Sequence, residues 1–153
     1  MKTFLLVISL LYRYSLPSQP PQNSAEVKVV DAFLTAVSTH NGDAMRQLLA
    51  ENVTWDQPGN NILSGKKSSI AEVFAMSRTM HRLSAGTLEL RDFSILGING
   101  NQVVCQLHFT AARPEGAVLD VQNTDVYTVE NGKITQAQVF SADPAQEDYF
   151  WGK

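Results

Sequence analysis

Two carboxylates, Asp56 and Asp125, stand among apolar and aromatic neighbours instead of in charged runs. Asp56 follows Trp55 and precedes Gln57-Pro58-Gly59-Asn60-Asn61, a loop rich in turn-forming residues, so an aromatic and a carboxylate sit beside a rigid turn. Asp125 lies in LDVQNTDVYTVENGKITQAQVF, Leu119 to Phe140. Strand alternation puts Leu119, Val121, Asn123, Asp125, Tyr127 and Val129 on one face and Asp120, Gln122, Thr124, Val126 and Thr128 on the other. The first face is the more apolar and should meet the core. An amide and a carboxylate there cost free energy unless they find partners, so Asp125 is either a paired structural carboxylate or one kept for chemistry.

The chemistry that fits is proton transfer on a small, largely apolar molecule: enolisation, aldol-type cyclisation, dehydration or epoxide opening. Asp56 and Asp125 are the candidates for moving protons. Asn123, Tyr127, His81 and Gln138 are the candidates for orienting the substrate, with Phe33, Trp55 and Phe74 as apolar wall. His81 has a plainer alternative as a helix-edge residue, and Trp55 and Tyr127 as ordinary core. The histidines, His40, His81 and His108, lack ligand spacing, so no metal is expected, and no cofactor is implied. The opposing function is a binding or association module whose pocket does not turn substrate over.

The elements that would position these groups are legible in outline. Val27, Val30, Phe33, Leu34 and Val37 recur at helical spacing behind a capping Asn23 or Ser24. After His40-Asn41-Gly42, Asp43 is placed to cap a second short helix with Ala44, Leu48 and Leu49 inward, ending near Glu51. Val53 to Asp56 reads as a short strand. Ser69-x-x-Glu72 is a capping box, and Ile70, Val73, Phe74, Ser77, Met80 and His81 follow along one side of a third helix. Strand signals then run over Thr87–Leu96 and Gln102–Ala112 and into the hairpin around Asn131-Gly132. Helices followed by a meandering sheet is the order of an α+β domain. The last aromatics, Tyr149, Phe150 and Trp151, should fold back as a lid or pack on a partner subunit.

At 153 residues with 44% hydrophobic content the chain suits one domain, and a net charge of −3 without a basic run argues against nucleic acid or an anionic membrane as partner. The lone Cys105 excludes an intrachain disulfide and reads as a small core hydrophobe. MKTFLLVISLLY has a basic start and an apolar run of nine, the length of a signal-peptide hydrophobic region and too short to span a bilayer. Export and a cytoplasmic location both stay open. Residues 1–23 are expected to be a dispensable extension ending in a Pro- and Gln-rich linker, and 24–153 the folded domain.

The segment Trp55 to Gly65 (W-x-x-P-G-x-N-x-L-S-G), the hairpin LDVQNTDVYTVENGKI and the terminal EDYFWG resemble the SnoaL-like branch of the nuclear transport factor two superfamily, over about Val29 to Gly152. The resemblance implies a cone-shaped, cystatin-like α+β barrel: three N-terminal helices on a strongly curved, mainly antiparallel sheet, enclosing a mostly apolar pocket. It also implies a homodimer through the outer sheet face carrying Gln106, His108, Thr110, Gln122 and Thr124. In the related ketosteroid isomerases the position of Asp125 holds a protonated aspartic acid. Their oxyanion-hole tyrosine aligns with Phe33 and their general base with Gln57, one residue after Asp56, so steroid isomerisation by their mechanism is not expected. Fold alone licenses no activity.

Overall fold

The computed structural model describes residues 24–152; the extension 1–23 and the expectations for it lie outside the described residues. Helix α1 (Ala25–Ser38) starts where the cap predicts, with Ser24 Oγ accepting from the Val27 amide at 3.1 Å. Its Val27, Val30, Phe33 and Leu34 are buried. Helix α2 (Gly42–Leu48) is capped by Asn41 and not by Asp43, which lies in the first turn, where a carboxylate still suits the positive end of the helix. None of its residues is fully buried, and Leu49, expected on this helix, opens strand β1 (Leu49–Gln57). A short strand β2 (Gly65–Lys67) pairs antiparallel with β1. The expected capping box at α3 (Ile70–Leu83) forms with one partner shifted: Ser69 Oγ accepts from the Glu72 amide at 3.3 Å, while Glu72 Oε2 accepts from the amide of Ser68, the residue before the cap, at 2.6 Å.

Strands β3 (Glu89–Asn99), β4 (Gln102–Ala112), β5 (Val118–Glu130) and β6 (Lys133–Ser141) follow. The β5–β6 turn is the two-residue hairpin that Asn-Gly predicts, with Asn131 at φ 51° and Gly132 at φ 75° and Glu130 opposite Lys133. The six strands form one sheet in the order β2-β1-β6-β5-β4-β3, antiparallel except for β1 against β6. Register shifts at Leu90/Asp92, Ile95/Gly97 and Thr128/Val129 mark bulges, which bend strands and increase their twist. The result is the expected α+β fold with a mainly antiparallel curved sheet.

Two elements were not expected, the three-residue strand β2 and a C-terminal helix. The terminal aromatics belong to a fourth helix, α4 (Pro144–Trp151), capped by Asp143 with Pro144 in its first turn. Phe150 and Trp151 are buried against Leu63, Met76, Leu119 and Val121, while Tyr149 is 76% exposed. The tail therefore folds back onto its own chain.

Candidate active-site cavity

Between α1, α3, α4 and the inner faces of β1, β4, β5 and β6 lies a cavity of about 140 Å³. Its wall on one side is an aromatic trio. Phe33 and Tyr127 meet edge-on with centroids 5.8 Å apart, Trp55 and Tyr127 at 6.2 Å, and Phe33 and Trp55 at 6.3 Å. The aliphatic remainder includes Leu34, Val73, Met76, Leu107 and Val121. Among the described residues no lysine, arginine or histidine lines the space.

The polar groups are concentrated on β5 and α4. The alternation read from the hairpin holds: Asn123, Asp125 and Tyr127 all point inward, opposite Leu107, Cys105 and Val103 on β4. Asp125 is 2% exposed. Its Oδ2 accepts from Tyr127 Oη at 2.7 Å, and its Oδ1 has no partner. Burial pushes its pKa up to about 7; the Tyr127 hydrogen bond opposes the rise and the charge of Glu147 adds to it. Burial holds the Tyr127 phenol well above its ordinary range, assisted by the charge of Asp125, so it is a neutral donor.

Glu147, on α4, is the cavity's second buried carboxyl, 3% exposed. With the Asn123 amide oriented to satisfy its neighbours, Asn123 Nδ2 donates to Glu147 Oε1 at 3.1 Å and to the Gln122 carbonyl at 3.0 Å. Burial raises the Glu147 pKa, while hydrogen bonding from Ser141, Asn123 and Trp151 pulls it back. Gln57 and Ser77 add to the polar set, Gln57 Oε1 accepting from Trp55 Nε1 at 3.2 Å.

Of the expected site residues, Phe33, Trp55, Asn123, Asp125 and Tyr127 come together here. Four do not. Asp56 is exposed on the outer face of β1, in register with Lys66 and Gln138, because the inward Trp55 and Gln57 on either side force it outward. Gln138 is likewise turned out between the buried Ala137 and Val139. Phe74 sits on the flank of α3 beneath the Arg46 guanidinium, 4.4 Å from its ring centroid, and does not line the cavity. His81 is exposed near the end of α3, its ring against Gly86. Glu147 was missed. The signal was present: Asp143-Pro144 opens a helix, and Glu147, Phe150 and Trp151 at i, i+3, i+4 share its buried side.

The loop and tail motifs prove to be two halves of one clamp. Asp148 Oδ1 accepts from the Asn60 amide at 2.7 Å and from Asn61 Nδ2 at 2.8 Å. The Ile62 amide donates to the Gly152 carbonyl at 2.9 Å, and Arg113 Nη1 to the Phe150 carbonyl at 2.8 Å. Asn61 also shapes its own loop, accepting from the Leu63 amide at 3.0 Å and donating its amide proton to Ser64 Oγ at 2.9 Å. The loop thus holds the helix that carries Glu147.

The model of the SnoaL-like domain matches residues 30–137, most of the chain. The chain belongs to the SnoaL-like domain family. A cystatin-like-fold protein of Xanthomonas campestris is similar at 30% identity and TM-score 0.77, over 84% of this SnoaL-like chain and 98% of that one. An uncharacterized protein of Mycobacterium tuberculosis is 27% identical over 84% of this chain and 98% of its own length. A protein of Jannaschia sp. CCS1 named as a candidate SnoaL-like polyketide cyclase shares the fold, with TM-score 0.66 at 17% identity over 87% of this chain and 96% of that one.

Proposed function

We propose that this SnoaL-like protein is an enzyme that moves protons on a small, neutral, largely apolar carbonyl compound, in an isomerase-, cyclase- or dehydratase-type reaction needing no cofactor. The observation that carries the reading is Asp125, a carboxyl in the lining of an apolar cavity whose buried Oδ1 has no partner. A carboxyl titrating at about 7 is substantially protonated at neutral pH and can donate to a substrate oxygen as negative charge develops on it. With no cationic side chain in the lining and two carboxyls already there, an anionic substrate would meet repulsion. An engineered cavity of about 150 Å³ holds benzene, so a space of this size suits about one ring. The name given to the Jannaschia protein supports carbonyl chemistry, and the cavity size favours a substrate smaller than a multi-ring polyketide.

A second reading, a ligand-binding or association module, draws on one observation. Asp56 faces away from the cavity, and Gln57, which faces in, cannot accept a proton from carbon. Deuterium wash-in separates the two. In D₂O the enzyme reading expects exchange next to the carbonyl of neutral monocyclic ketones and enones, slowed about 100-fold or more in Asp125→Ala. Binding of these compounds with exchange no faster than in buffer across the whole panel would favour the module.

A further inference from the structure

We infer that Glu147, delivered by the C-terminal helix, is the proton acceptor that works opposite Asp125, so that the cavity holds a divided acid–base pair of carboxyls. The inference rests on the enzyme reading above and names the base that reading lacks. Asp125, Tyr127 and Glu147 are the ionisable residues lining the cavity, and Tyr127 is committed as donor to Asp125. Asn123 lies one inward step before Asp125, about 7 Å along the strand, and contacts Glu147 Oε1 at 3.1 Å. The two carboxyls therefore address one space from neighbouring positions.

Their surroundings divide the roles. Asp125 receives one donor, Tyr127, whereas Glu147 accepts from Asn123, and the polar groups of Ser141 and Trp151 beside it also favour its charged form. More donors favour the charged form, so Glu147 ionises first, and its charge then helps hold the proton on Asp125. The geometry thus puts the donated proton on Asp125, the residue with the unpartnered oxygen, and makes Glu147, which Asn123 contacts, the accepting side.

The step balances with these two groups alone. The Glu147 carboxylate takes a proton from the carbon next to the substrate carbonyl. The C–H electron pair becomes the new C=C bond, and the carbonyl π pair moves to oxygen, which takes the Asp125 proton. The products are an enol, neutral Glu147 and ionised Asp125. With a β,γ-unsaturated substrate that enol is a dienol: when Glu147 returns its proton to the γ carbon, the double bond shifts into conjugation, the hydroxyl proton goes back to Asp125 as the carbonyl re-forms, and both groups are reset.

Glu147→Gln keeps the shape and one acceptor oxygen but cannot take the proton. With 3-methylcyclohex-2-enone as probe in D₂O, wash-in should fall 100-fold or more in this variant, while the ketone's Kd, read by quenching of tryptophan fluorescence, stays within threefold of wild type. A folded Glu147→Gln that exchanges within threefold of wild type overturns the assignment and leaves the enzyme reading intact. Wild type that binds the ketone without exchanging it overturns both. Should Glu147→Gln fail to fold, Glu147→Asp decides. The retracted carboxylate should exchange at least tenfold more slowly at unchanged Kd, and a wild-type rate overturns the assignment.

Discussion

Tyr127 Oη donates to one oxygen of Asp125 at 2.7 Å and leaves the other buried and unpartnered. The phenol thus orients the carboxyl and partly stabilises its charged form, against burial and the Glu147 charge. In Tyr127→Phe that stabilisation is gone and the Asp125 pKa should rise above about 7. The alkaline limb of a deuterium-exchange profile, where the acid loses its proton, should move to higher pH. A limb that stays in place or moves lower would show that Tyr127 does not set this titration.

The same burial makes stability depend on pH. The Asp125 pKa is raised from the ordinary 3.8 to about 7 on folding, so between these values the unfolded chain has released a proton that the native state keeps. The contribution of Asp125 is therefore most favourable below pH 3.8, declines as pH rises to about 7, and is flat beyond. Asp125→Asn removes this slope, and its amide oxygen still accepts from Tyr127. The variant should be more stable than wild type at pH 8, by on the order of a few kcal/mol as an upper bound, with the gap closing toward pH 4. Urea midpoints across that range measure it. A variant less stable than wild type at pH 8 would instead mark Asp125 as a paired structural carboxylate.

How much of this was legible follows from the periodicity of each element. In β5 the alternation is long and clean, so the inward row Asn123, Asp125, Tyr127 could be read directly. In β1 the same rule means that Trp55 and Asp56, adjacent on one strand, cannot share a face, but the short run does not say which of them turns inward. The parallel pairing of β1 with β6, a long-range contact, fixes that Trp55 is the inward one. Gln138 fails for the same reason, being flanked by the inward Ala137 and Val139. On α3 the apolar side is broad, and only packing shows that Val73, Met76 and Met80 reach the cavity while Phe74 turns to Arg46. The three-residue β2 offers no pattern at all. Glu147 was hidden because its helix is short and its partners, Asn123 and the Gly59–Ser64 loop that clamps α4, are distant in the chain.

The outer face of the sheet should pair with a second copy of the chain. Gln106 and Gln122 are exposed there, Phe140 is 55% exposed beside Thr124, and His108 is hydrogen-bonded to Asp120 at 2.7 Å. Aromatic side chains are enriched in the buried centre of interfaces, and Phe140 supplies one on this face. Sedimentation at micromolar concentration should give a dimer, and Phe140→Glu a folded monomer. Wild type sedimenting as a monomer would count against the pairing.

The clamp between the Gly59–Ser64 loop and α4 should control the site from outside it. Gly59 has φ +91°, which an L side chain rarely adopts, and a Cβ there would collide with Asp148 Oδ1. Asp148 in turn accepts from the Asn60 amide at 2.7 Å and Asn61 Nδ2 at 2.8 Å. Gly59→Ala therefore strains the loop and pushes it off the helix, and Asp148→Ala leaves both donors without their acceptor. Because Glu147, Phe150 and Trp151 share the buried side of that helix, loosening it withdraws a carboxyl and a wall from the cavity together. Each variant should lose about 1–3 kcal/mol of stability, from backbone strain in one case and lost hydrogen bonds in the other. Both should also slow deuterium exchange and weaken ketone binding, with faster amide hydrogen exchange confined to 144–152 and the Gly59–Ser64 loop. A control on the far side of the fold, Lys133→Ala, removes the 2.7 Å bond to the Gln47 carbonyl and should leave the protection of α4 and ketone binding unchanged. If the clamp variants lost stability with ketone binding and α4 protection intact, the helix would be a stabilising strap without influence on the site.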